Sequence, residues 1–91
     1  MAEGKSTVIS ASAAINAKAG RVLGVGIKAG ADAASVKIMD GGSGGTQKTP
    51  TLPVGAGNFD FIEFTHGIIC TTSIYATITG TTPEVMVIFE D

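Results

Sequence analysis

The chain has 91 residues, a formal net charge of −2, 44 % apolar and 15 % charged residues, and a single cysteine, Cys70. That length is one domain, the lone cysteine excludes a disulfide-stapled fold, and so small a net charge argues against nucleic acid or an anionic membrane as partner. The charged share falls well below the typical ~25 %, which leaves few groups to keep a monomer's surface wet and directs attention to partners. The charges are segregated: residues 1–48 hold six bases and three acids, residues 49–91 five acids and no base.

Ile, Val and Thr number 28, against two Leu. β-Branched side chains lose rotamer freedom in a helix and pack well on a pleated surface, so the chain reads as all-β. Residues 1–6 are polar and are expected to form a loose arm, with the β-domain spanning 7–91. The N-terminus lacks the continuous apolar core of a signal peptide, and no stretch approaches the ~20 apolar residues of a membrane span, so synthesis and assembly in the cytoplasm are expected. TVISASAAINA, from Thr7, fits a strand with small outward residues; a helix would align Val8 with Ile15, but its serines weaken that choice.

In RVLGVGIKAG, Leu23, Val25, Ile27 and Ala29 alternate with Val22, Gly24, Gly26 and Lys28, the two-residue period of a strand with one apolar face. Glycine on the other face implies a bulge or the close approach of another backbone. After a turn at Gly30–Asp32, ASVKIMD alternates in the same way, and two such strands about three residues apart predict a hairpin. DGGSGGTQK reads as a flexible loop. TPTLPV carries Pro50 and Pro53, which cannot donate to a ladder, and so belongs at an edge or in an irregular crossing. In FDFIEF the apolar face switches part-way, which predicts a bulge near Ile62. GIICTT, SIYATITG and EVMVIFE complete seven or eight short strands, the number expected of a sandwich, jelly roll or closed barrel. No repeat of 20–50 residues is visible.

Residues 85–89 are apolar on both faces, Val85, Val87 and Phe89 on one and Met86 and Ile88 on the other. An antiparallel sandwich strand needs only one buried face, so the surplus face is to be covered by a loop, by a closing barrel wall or by another chain, and the strand is expected at or near a subunit contact.

Catalytic equipment is sparse. His66 and Cys70 are the only members of their types, and on an extended segment they lie roughly 13 Å apart, beyond the reach of a nucleophile–base pair. One His and one Cys do not make a zinc site. Asp40 and its following glycines are similar to a calcium-binding loop, but Thr46 stands where a carboxylate is needed. The same glycines lack the Gly-Lys-Ser/Thr ending of a phosphate loop, and Gly24, Gly26 and Gly30 miss the dinucleotide spacing by one residue. Asp60 and Glu63, as a carboxylate pair for glycoside cleavage, face opposite sides of a strand. The five aromatics lie in the acidic half, away from the bases that nucleic-acid binding requires. No enzyme activity, metal or cofactor is therefore expected.

The segments GRVLGVGIKAGADAASVKIMDGGSGGT and GNFDFIEFTHGIICTTSIYATITGTTPEVMVIFE together resemble small all-β structural proteins of tailed-bacteriophage virions. The matching positions are Leu23–Ile27, Gly30–Val36, Asp40–Gly44, Phe64–Ile68 and Ala76–Val85, within residues 20–90. They are turn and strand motifs, shared by capsid decoration (cement) proteins, head fibres and small tail or baseplate modules. The resemblance implies a virion component at the capsid surface, binding the major capsid protein as a homo-oligomer, often a trimer, and stabilising the shell without chemistry. The expected fold is a single antiparallel β-sandwich, jelly-roll-like. Interface candidates are Val85, Met86, Val87, Ile88 and Phe89 of the last strand, with Ala2, Glu3 and Lys5 of the arm as a segment for strand addition to a partner. A carbohydrate-binding β-module, using Tyr75 and the Asp60/Glu63 strand, is the alternative from a different class.

Overall fold

The computed structural model describes residues 5–90, all strands and connections: β1 (Lys5–Ile9), β2 (Ala13–Asn16), β3 (Gly20–Lys28), β4 (Ala34–Asp40), β5 (Thr46–Gln47), β6 (Leu52–Val54), β7 (Phe59–Cys70), β8 (Ile74–Thr79) and β9 (Glu84–Glu90). They form two antiparallel sheets, the first in the order β1-β9-β3-β7 and the second β2-β8-β4, with β5 and β6 sharing the far side of β4. Nine segments thus fill eight strand positions.

The pairing is nested. β4 pairs with β5 and β6 around the Gly41–Gly45 turn, β3 with β7, β2 with β8 and β1 with β9. A long hairpin bent at its middle and rolled up gives this pattern, and the extra contacts β9–β3 and β8–β4 close the roll. The result is an antiparallel sandwich with jelly-roll connectivity.

The core lies between the sheets: Val22, Val25 and Ile27 of β3, Val36 and Ile38 of β4, Ile74 and Ala76 of β8, and Val85, Val87 and Phe89 of β9 are all buried. Each large member contributes about 1.5–3 kcal/mol by leaving water.

Five expectations change. β3 and β4 do not form a hairpin: β3 lies in the first sheet and β4 in the second, and residues 29–33 cross between them. Gly30 permits that crossing, since a Cβ there would sit 2.6 Å from the Thr81 carbonyl oxygen. Asp32 ties the two crossing loops together by accepting a 2.8 Å bond from the Thr81 hydroxyl. The alternation in β3 is also broken: the register shifts between Val22 and Gly24, so Val22, not Leu23, shares the inward face with Val25 and Ile27. The β7 irregularity falls at residues 64–67, between the paired Glu63 and Ile68, rather than at Ile62, and Gly67 takes φ +75° there. Lys5 and Ser6, assigned by composition to a loose arm, are the first residues of β1.

DGGSGGTQK, read as flexible, is a defined hairpin. Gly41 and Gly42 adopt positive φ, and Asp40 anchors the neighbouring corner. One of its carboxylate oxygens accepts the Thr71 N–H (2.9 Å) and hydroxyl (3.0 Å), the other the Thr72 (2.9 Å) and Ser73 (3.3 Å) N–H groups. The Thr71 and Thr72 N–H bonds hold its pKa down at about 2, from an ordinary 3.8. The prolines fall at the edge as expected: β6, with Pro53, pairs with β4 alone among the described strands.

Candidate functional site: the outer face of the first sheet

Because side chains alternate along a strand, the register fixes which residues share the outer face of the first sheet. One row across it is Val8–Met86–Gly26–Phe61, the next Ser6–Ile88–Gly24–Glu63, and the end row holds Glu84, Lys28 and Phe59. Val8 is 61 % exposed, Phe59 65 % and Phe61 38 %, while Met86 and Ile88 are half-buried.

The two glycines form a floor. A Cβ on Gly24 would lie 3.0 Å from Phe61 Cζ, and one on Gly26 3.1 Å from Phe61 Cδ2, so one edge of the Phe61 ring runs across β3 over both glycines. A groove of about 210 Å³ remains beside it, lined by Val8, Gly26, Lys28, Phe59, Glu84 and Met86. Lys28 Nζ stands 4.0 Å from Glu84 Oε1 at its rim, both side chains more than half exposed. An ion pair that open to water adds little to the fold, and both charges stay available to a partner.

The second sheet differs. Its outward positions include Ser35, whose hydroxyl meets that of Thr79 at 2.6 Å, Lys37 opposite Thr77, and Met39 opposite Tyr75. Ser12 bonds through its hydroxyl to both backbone groups of Ile78. That face carries several hydroxyls beside Lys37 and Met39, whereas the first sheet's outer face gathers Val8, Phe59, Phe61, Met86 and Ile88.

The last-strand candidates therefore divide. Val85, Val87 and Phe89 face the chain's own core and are buried within it. Met86 and Ile88 face out. Lys5 is on β1 opposite Phe89, and Ala2 and Glu3 lie outside the described residues. The remaining residues of the face, Val8, Phe59, Phe61, Lys28 and Glu84, escape sequence reasoning. Phe59 and Phe61 at a two-residue spacing, and Gly24 with Gly26 at the same spacing, are its traces in the sequence; that one pair covers the other follows only from the register.

Elsewhere the chemistry does not converge. Cys70 is fully buried, and burial, reinforced by the negative charge of Asp40, pushes its thiol pKa up, the wrong direction for a nucleophile. His66 is exposed in the β7 irregularity. Asp60 accepts the Phe61 N–H at 2.9 Å and shares its row with the inward-facing Ile27, Glu63 with the outward Gly24, and Tyr75 is on the other sheet, so the candidate sugar-binding residues occupy three separate surfaces. Among the described residues no cluster of three His, Cys, Asp or Glu is placed to hold a metal. A larger depression of about 380 Å³ lies between Ala19–Arg21, Ile69–Thr71 and Glu90, but its charged groups, Arg21 and Glu90, already face each other at 3.5 Å.

No family model, curated protein or solved structure matches the chain.

Proposed function

We propose that this protein is a structural component of a tailed-bacteriophage particle, a jelly-roll module that decorates the capsid and stabilises it by binding the major capsid protein as a homo-oligomer, without catalysing a reaction. The observation that carries the reading is the hydrocarbon face of the first sheet, where Val8, Phe59, Phe61, Met86 and Ile88 lie together uncovered by any described segment. Completing the burial of Met86 and Ile88 contributes on the order of 1–2 kcal/mol each before association costs. A particle that presents many copies side by side is a setting in which such a face is covered. The connectivity alone does not choose the role, since capsid proteins, lectins and cupins share it; the phage-like turn and strand motifs within residues 20–90 supply the virion assignment.

Mass spectrometry of intact purified particles tests it. A copy number near that of the major shell subunit supports decoration. A few copies per particle moves the protein to a head-fibre, tail or baseplate position. Absence from particles, together with sugar-dependent signal on a glycan array, replaces the reading with the carbohydrate-binding one.

A further inference from the structure

We infer that the outer face of the first sheet is a contact between two copies of this chain, packed face to face about a two-fold axis that runs parallel to the strands between β3 and β9. A two-fold contact requires a self-complementary patch, and the rows of this face have that property. The rotation exchanges β9 with β3 and β1 with β7 at the same height. It sets Lys28 of one copy against Glu84 of the other, and Glu84 against Lys28, since the two residues are opposite each other in the register and both carry their charge at the exposed rim. One row further, Met86 and Ile88 of each copy meet the other copy's Gly26 and Gly24.

Relief is complementary as well as charge. β9 presents Met86 and Ile88 to this face, whereas β3 presents only glycines, covered by one edge of the Phe61 ring and, at Gly26, approached by the chain's own Met86 methyl. Across the two-fold each Met86 thioether reaches the other copy's Phe61 ring beside Gly26, a favourable sulfur–ring contact. At the flanks Val8 meets Phe61, and the Ser6 hydroxyl meets the Glu63 carboxylate. No row sets acid against acid or base against base. The second sheet's outer face has no comparable pairing of raised apolar residues with a glycine floor.

Four strands at ~4.8 Å spacing and three of the outward rows give a patch on the order of 400 Å² per copy in projection, about 800 Å² for the pair, which is below the standard specific interface and in the range of weak, transient contacts. The association is correspondingly weak and seen only at high protein concentration. It yields a dimer, in contrast to the trimer implied by the phage resemblance, and does not depend on the virion assignment, because it is read on the isolated protein whereas copy number is read on particles.

The test is sedimentation equilibrium of the full chain across concentration. Wild type should move from 9.1 kDa towards twice that mass. Lys28→Glu and Glu84→Lys, both at exposed positions, should each weaken dimerisation by about tenfold or more, because symmetry places two like-charge contacts in every interface. An equimolar mixture of the two single variants should regain the doubled mass. In the mixed dimer, both contacts between position 28 of one copy and position 84 of the other again join an acid to a base. Mixing cannot repair an effect confined to one chain. Circular dichroism of each variant identifies any that misfolds, and Met86→Lys, which alters the centre rather than the rim, should also leave a monomer. A wild-type mass fixed at 9.1 kDa up to about 1 mM, a limiting mass of three subunits, or a mixture no heavier than the single variants overturns the inference.

Discussion

Thr49 stands where the edge strand is interrupted, and replacing it measures how the gap is sealed. β5 and β6 are separated by residues 48–51, which include Pro50, so β4 loses regular ladder partners beside Ile38. Two substitutes fill the place: the Lys48 N–H bonds the Ile38 carbonyl at 2.8 Å, and the Thr49 hydroxyl oxygen accepts the Ile38 N–H at 3.1 Å. Thr49 is only 4 % exposed, so water cannot readily replace it. Thr49→Val preserves shape and removes the acceptor, leaving a buried N–H unmet at a cost of about 1–3 kcal/mol. Thr49→Ser keeps the acceptor and loses one methyl, about 0.8 kcal/mol. For a domain of this size those losses correspond to a Tm lowered by roughly 10 °C for Val and roughly 5 °C for Ser. Strand propensity favours Val over Ser, which works against this order and makes the comparison stringent. Thermal unfolding followed by circular dichroism at one fixed protein concentration is sufficient. If Ser proves worse than Val, or Val matches wild type, the hydroxyl does not replace a ladder partner.

Acid should act through Asp40. A carboxylate whose folded pKa lies near 2 stabilises the fold above its unfolded value of ~4, and that contribution is lost as pH falls through the folded value. The wild-type Tm should therefore fall between about pH 5 and pH 2, and Asp40→Asn, less stable at neutral pH, should show a flatter curve over the same interval; parallel curves for the two proteins would count against the assignment. Adjacent glycines should respond in opposite senses. At Gly44 a Cβ meets nothing within 4 Å, so Gly44→Ala should be neutral or gain up to about 1 kcal/mol by restricting the unfolded chain. At Gly45 it would collide with the Asp40 carbonyl, so Gly45→Ala should open the hairpin and cost at least about 2 kcal/mol. Equal Tm shifts for the two variants would show that the turn is as loose as its composition suggests.

The strands themselves were legible because β-branched residues and two-residue alternation are local properties of a pleated chain. The connection between β3 and β4 was not. Two alternating segments with a short link look the same whether the chain turns back within one sheet or crosses to another. Here the choice rests on partners far away in sequence: β9 and β7 flank β3, while β8 and β5/β6 flank β4. Leu23 was assigned the wrong face for a related reason. A bulge adds one residue and inverts every alternation beyond it, and Val22-Leu23-Gly24 contains nothing that marks where the extra residue sits. The loop at residues 40–48 misled in the opposite sense, because glycine content reports what a backbone can do, while order is imposed there by Asp40 and by partners some 30 residues away.

The candidate site was half legible, and the missing half was its register. The two-faced pattern of β9 correctly separated Met86 and Ile88 from Val85, Val87 and Phe89, but an apolar outward pair has no meaning until its neighbours are known. Beside polar residues it would be a scattered surface feature of the kind most proteins tolerate; beside Val8, Phe59 and Phe61 it becomes a continuous patch. The edges of the same molecule point the same way. β2 carries a register shift between Ala14 and Asn16, β6 carries Pro53, β7 is broken at residues 64–67, and β1 is five residues long with Lys5 at its start. These are the devices that limit pairing with a stray strand. The proposed association runs through the broad face rather than the edges, so the substitutions that change assembly should fall on the outward residues of β1, β3, β7 and β9 rather than on the outer face of the second sheet.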